Sequence, residues 1–281
     1  MNTWFVIVLS VIAVGAVSVL LYFALFDGAD ALFFKPKHRR GQYINDQTAV
    51  IVHSIKDTAD SAKAYRLLAE YIFTNHKQFL SFVSITIKNI SDAYIANDNE
   101  TLFSEIEKIK EMKVELKDQV ISQSECLDSI DPAYYIETAA WINIANNTRF
   151  DINKGIRRIA EVCIAYDKNY DQPFPQDYAD ILTLMVEDIS NICEKEIELI
   201  NAGDVEAMKK LRKEINVIMG ETYDNTSRLY NFLHDGKNNI DDDKKMALRY
   251  VLNAIQECYC IIYSLRRFVL CNLCIVSSLR H

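Results

Sequence analysis

Chain breakers are scarce. Seven glycines and four prolines serve 281 residues, where average usage gives about 20 and about 14. A turn-rich sandwich, a many-looped barrel and a nucleotide fold built on glycine loops all need more, so the chain reads as a set of long helices. Neither a P-loop nor GxGxxG occurs, which removes phosphate cradling by a glycine loop. The nucleophile elbow GxSxG is also missing. Only five histidines are present, His38, His53, His76, His234 and His281, none at HExxH spacing, so zinc-hydrolase chemistry has no support. Basic residues number 31 against 39 acidic, a net charge of −8, which argues against a nucleic-acid binder. The carboxylate pairs Glu194 with Glu198 and Glu105 with Glu107 fall on helix faces that read as solvated. The chain is expected to be no enzyme and to carry no cofactor.

Seven cysteines are an odd number in a long chain, and most sit within apolar helical pattern, where a thiol behaves as a small hydrophobe. Cys271 and Cys274 form CxxC, but a zinc site needs two further ligands and Cys258 with Cys260 has poor spacing for them. A reducing compartment and free thiols are expected.

What is present begins with residues 4–26, WFVIVLSVIAVGAVSVLLYFALF, an uncharged run long enough to span a hydrocarbon core of about 30 Å. Trp4 and Tyr22 lie where interfacial aromatics anchor a span. No basic residue precedes the run, and its length exceeds that of a signal h-region, so a transmembrane helix is expected rather than a cleaved signal. Lys35, Lys37, Arg39 and Arg40 follow at once. The positive-inside rule then puts the large C-terminal part in the cytoplasm, with these four side chains at the membrane surface. The expectation is a single-pass protein of the cell inner (plasma) membrane.

From Asp46 onward seven helices are expected, the first over 46–75. Polar breaks fall at Asn75-His76, 96–99, 122–132, 169–175, 201–204 and 235–242. Within 204–234, Val205, Met208, Leu211, Ile215, Ile218, Thr222, Leu229 and Leu233 follow one stripe of helical period, and Asp204 stands at an N-cap position. The chain also repeats itself. AYIANDNETLFSEIEKIKEM over 93–112 parallels ELINAGDVEAMKKLRKEIN over 198–216. The third helices align at an offset of 110, which pairs Asn143 with Asn253 and Arg157 with Arg267. A period near 105 with three helices per unit implies two antiparallel three-helix bundles, about 78–167 and 176–271.

On this tandem layout, and on segments such as YYIETAAWINIANNTRFDINKGIRRIAEV and RYVLNAIQECYCIIYSLRRF, the chain resembles PhoU-like domains over roughly residues 75–271. More narrowly it is similar to the C-terminal end of bacterial inorganic phosphate transporters, in which a last membrane helix, a basic linker and a cytoplasmic PhoU-like domain follow in this order. The resemblance implies an all-α fold. One N-terminal transmembrane helix (1–27) leads through a basic linker and connector helix (28–77) to a PhoU-like helical repeat (78–271) and a tail (272–281).

The resemblance further implies a regulatory role in inorganic phosphate transport. Its partners would be the membrane and a transporter, or the missing part of one, and a homo-oligomer fits as well. The family's metal clusters use a Glu four residues before an Asp in each third helix. This chain has Asn143 with Asn147 and Asn253 with Glu257 at the aligned positions, so Glu257 alone remains as a metal ligand and occupancy is expected to be weak. Asn143, Asn147 and Asn253 are expected to hydrogen-bond between helices instead. The alternative function is a membrane-anchored structural or signalling bundle unrelated to phosphate.

Overall fold

The computed structural model describes residues 46–128, 130, 132–170, 176–234 and 242–279. Among them every element is helical and there is no strand. The helices are α1 (Asp46–Asp57), α2 (Ser61–Ile95), α3 (Asn99–Leu127), α4 (Pro132–Tyr170), α5 (Gln176–Ala202), α6 (Val205–His234) and α7 (Asp242–Ser278). The expected transmembrane run 4–26 and the basic residues Lys35, Lys37, Arg39 and Arg40 lie outside the described residues.

Local chemistry sets the helix ends. Asp60 opens α2, its Oδ1 accepting from Ala62 N at 3.0 Å and Lys63 N at 3.2 Å. Asn97 then stops α2 in the left-handed region at φ 56. Its N–H donates to Tyr94 O (3.1 Å) and that of Asp98 to Ala93 O (2.8 Å), a Schellman end. Asp98 restarts the chain as the cap of α3, accepting from Thr101 N at 3.0 Å. The α5–α6 turn repeats this design 106 residues later. Gly203 has φ 61, its N–H donates to Ile200 O at 3.3 Å, and Asp204 accepts from Ala207 N at 3.0 Å.

Burial recurs at the same offset. Met208, Leu211, Ile215, Thr222, Leu229 and Leu233 of α6 are buried, and so are Leu102, Glu105, Ile109, Leu116, Gln123 and Leu127 of α3. In α7 the stripe Leu248, Val251, Ile255, Cys258, Ile262, Leu265, Val269 matches Ile142, Ala145, Arg149, Ile152, Ile156, Ile159, Cys163 of α4. Spacings alternate three and four in both, the pattern of a helix that packs lengthwise on another. One offset of 106 therefore serves all three helix pairs, and the expected 110 for the third pair is one turn out of register.

Helices α2, α3 and α4 pack on one another, as do α5, α6 and α7. The two triples meet along α4 against α7 and along α2 against α5. Both seams run antiparallel. Arg158 reaches Glu257 at 3.0 Å while Gly155 faces Ile261. On the other seam Lys77 meets Asn201 at 2.8 Å and Ser84 meets Ser190 at 2.6 Å. Helix α1 lies on α2 and α3, with Ile55 inside a second apolar cluster that includes Leu68, Ile72, Leu127 and Ile275.

Three expectations are corrected. The helix expected over 46–75 is two helices with their break at 58–60, and Asn75 and His76 lie buried inside the continuous α2. Two adjacent polar residues look like a break, but here His76 meets the Asn272 side chain in the core. The boundary at 77/78 consequently falls within α2, and 272–278 are the last turns of α7 rather than a tail. Lys245–Ser278 is long and apolar enough to cross a membrane, an 18-residue window within it having mean hydropathy 1.6. Its apolar window is 61% buried within the protein, so that apolarity is used against α4, α5 and α6.

A Cβ on Gly155 would stand 2.8 Å from Ile261 Cγ1. Gly155→Val is expected to destabilise the protein by about 2 kcal/mol through overpacking, whereas Gly203→Ala costs about 1 kcal/mol through its positive φ alone. Denaturant unfolding of the full chain checks both, and equal costs would remove the close approach from the account.

Candidate functional site

Among the described residues, polar chemistry gathers on the α4–α7 surface and in the core, besides a basic groove between α6 and α7. The first is the surface groove where the resemblance puts metal ligands. Arg158, Glu161, Tyr250, Asn253 and Glu257 line a cavity of about 270 Å³ between α4 and α7. Glu257 is bound to the Arg158 guanidinium at 3.0 Å and Glu161 to Arg157 at 2.7 Å. Both carboxylates are thus already neutralised by arginine, leaving the amide of Asn253. A multinuclear iron or zinc cluster needs several uncommitted anionic oxygens, and this groove does not fit one. Among the described residues no three His, Cys, Asp or Glu side chains converge as a metal site. In the 106-residue register Asn147 and Asp151 correspond to Asn253 and Glu257, so the pairing of Asn143 with Asn253 is corrected. Asn143, Asn147 and Asn253 are all exposed. The interhelical bonds expected of them are made by Asn146, Asn153 and Asn272 instead.

The second place is the core, which holds two sets of buried polar groups. Glu196 of α5, Asn272 of α7 and His76 of α2 are each at most 1% exposed. Asn272 Nδ2 donates to Glu196 Oε1 at 2.6 Å. Its Oδ1 therefore turns to His76 Nδ1, also at 2.6 Å, and the imidazole carries its proton on Nδ1. The ring lies 4.5 Å from that of Phe268. Arg149 of α4, fully buried, donates from Nη1 to Gln119 Oε1 at 2.6 Å and from Nη2 to Asn146 Oδ1. Gln119 in turn donates to Glu115 Oε1 at 3.0 Å, so a half-buried carboxylate balances the guanidinium through one amide. Asn146 donates to Gln123 Oε1 at 2.9 Å.

Burial decides the charges. Desolvation pushes the Glu196 carboxyl up from 4.5 to about 8, against the pull of the Asn272 hydrogen bond. Desolvation, then the Arg149 charge, holds His76 down from 6.5 to about 3. At neutral pH the carboxyl is mostly protonated and the imidazole neutral. Arg149 falls to about 10, again chiefly by desolvation, and keeps its charge. These groups are sealed from solvent, so they orient helices rather than meet a substrate. Sequence reasoning missed all four. The signal was a polar residue in an apolar stripe, such as Glu196 between Ile192 and Ile200, or Asn272 between Phe268 and Val276. Glu105, read as solvated, is also buried and is held by Asn89 at 3.0 Å and Lys108 at 2.7 Å.

No disulfide joins any of the seven cysteines, and Cys271 of the CxxC pair is buried. Comparison with protein-family models, with curated proteins and with solved structures returns no match.

The two core titrations act in opposite senses. The raised Glu196 value makes stability fall as pH rises from about 4.5 to about 8. The lowered His76 value makes it fall as pH drops from about 6.5 to about 3. In the overlap they offset each other. Glu196→Gln should flatten the loss above pH 6.5 and His76→Gln the loss below pH 4.5, as read by unfolding midpoints against pH. Unchanged slopes would show that the pair does not titrate on unfolding. For the groove, Glu257→Ala should leave the iron and zinc content of the purified protein unaltered; stoichiometric metal lost with that carboxylate would reverse the assignment.

Proposed function

We propose that this chain is a membrane-anchored, PhoU-like regulatory domain in inorganic phosphate uptake, either the C-terminal part of a phosphate transporter or its anchored partner. The observation that carries the reading is the duplication of a three-helix unit, with matching turns at Asn97-Asp98 and Gly203-Asp204 and matching burial along each helix pair. A tandem repeat of antiparallel three-helix units is the layout the resemblance implies for such a domain. Residues 4–26 supply the anchor, and Lys35, Lys37, Arg39 and Arg40 hold the following domain near anionic head groups on the cytoplasmic side. Tethering raises the effective concentration of any membrane partner. Regulation then proceeds by docking of helical surface on a transporter, without bond chemistry. One membrane helix cannot enclose a translocation path, so the partner or the remainder of the transporter supplies it.

A second reading, an anchored structural or signalling bundle unrelated to phosphate, is favoured by one observation. Arg158 holds Glu257 where the resembled family places a metal-binding carboxylate.

Removing residues 61–279 while retaining the N-terminal run separates the two. Labelled-phosphate uptake should change across external concentrations while the anchor still inserts; unchanged uptake would leave the second reading. Protease added outside intact cells should spare α2 to α7, and digestion there would reverse the topology.

A further inference from the structure

Between α6 and α7 lies a groove of about 500 Å³ whose lining includes Lys209, Lys210, Arg212, Lys213 and Arg266, with Glu206 as its one carboxylate. Lys209 is paired with Glu206 at 2.6 Å, and Lys210 reaches Glu214 only at 3.8 Å. Lys213, Arg212 and Arg266 have no ion-pair partner among the described residues. The Nε of Arg212 and of Arg266 are buried, and neither meets a hydrogen-bond acceptor there. The chain as a whole is acidic at −8, so general surface charge does not explain this concentration of cations.

Packing does not explain it either, because the fold builds the same helix pair twice. In the first half, 106 residues earlier, Phe103, Ser104, Ile106, Glu107 and Ala160 hold the positions of the five cations. Ile106 and Ala160 are buried apolar residues, and they stand where Arg212 and Arg266 do. Helix α3 packs on α4 without a cation at any of these positions. The cations of α6 and α7 therefore repel one another, and two guanidinium edges are desolvated, with no gain to the scaffold. An anion in the groove relieves both costs.

We propose that this groove binds a small anion bearing two or more phosphoryl groups. Guanidinium forks match phosphoryl oxygens in bidentate fashion, and lysines add unoriented charge around them. The volume exceeds what a single phosphate fills, and five cations from two helices can serve several phosphoryl groups together. Such groups come from a soluble polyphosphorylated compound or from a phosphorylated lipid head group. The site stands on charge and on the repeat comparison, and it does not depend on the transport reading.

Titration calorimetry on the detergent-solubilised full chain tests it, with inorganic triphosphate as the soluble probe and inositol trisphosphate as the free head group. Saturable one-to-one binding is expected, weakening steeply between about 50 and about 200 mM salt; the tighter probe identifies the source, and equal affinity supports the shared chemistry. Arg212→Ile with Arg266→Ala installs the residues of the first half. It should keep the fold and lose on the order of tenfold or more in affinity. Lys209→Gln with Lys213→Gln changes exposed side chains only and should also weaken binding. Lys154→Gln, an exposed cation on α4, should not. Absence of saturable binding by both probes overturns the proposal. So does affinity that is insensitive to both double variants, or that falls equally with Lys154→Gln.

Discussion

The close approach of α4 and α7 at Gly155 is the contact on which the two halves depend. A side chain there would collide with Ile261, so glycine lets two long heptad-like stripes run against each other without splaying. The opposite seam is polar at its centre. Ser84 and Ser190, equivalent positions in the repeat, bond to each other, and Glu194 accepts from Lys88 at 3.0 Å beside them. A residue that meets its own equivalent marks a pseudo-two-fold relation, and the crossing of Gly155 with Ile261 obeys the same offset. First and third helices of each half thereby form the middle of the molecule. Helices α3 and α6 are left on the outside, packed mainly within their own halves.

Apart from the Ser84–Ser190 pair, the polar core groups of the duplicated scaffold break its symmetry. His76 has Leu182 as its equivalent, Glu196 has Ile90, Arg149 has Ile255 and Asn272 has Tyr166, all four counterparts being buried apolar or aromatic residues. An apolar core would pack at least as well at these positions. What the polar groups add is a penalty for every wrong arrangement. Sliding α7 by one turn would strip both partners from Asn272 and leave Glu196 and His76 unpaired in the interior. The basic groove departs from the repeat in the same manner, but at the surface, where a ligand rather than a neighbouring helix can answer it.

Much of the helical content is legible in the sequence. Scarce glycine and proline exclude frequent turns, and the stripe of α6 from Met208 to Leu233 lies buried as its period indicates, with Ile218 half-buried. Turn residues Asn97, Asp98, Gly203 and Asp204 announce their own breaks, because local backbone chemistry is written in local residues. Asn75-His76 misled for the converse reason. Polarity marks a loop when its partner is water and a core contact when its partner is a distant side chain, and the partner of His76 is 196 residues away. The candidate metal position was similarly half-legible. Its missing carboxylates are visible in the letters, whereas the capture of Glu257 by Arg158 joins residues 99 apart.

By itself the sequence determined the helices of the described residues from Asp46 onward, the repeat of a three-helix unit, most of the breaks between helices and the apolar faces, since each of these arises from interactions within one or two helical turns. Only the tertiary structure decided the register of the repeat, the seams at Gly155 and Ser84, the neutral Glu196 and His76, and the gathering of Arg212 and Arg266 into one groove. Those features depend on which helices become neighbours and on how dry the space between them is. Neither burial nor proximity between residues a hundred positions apart is encoded in any short stretch of chain.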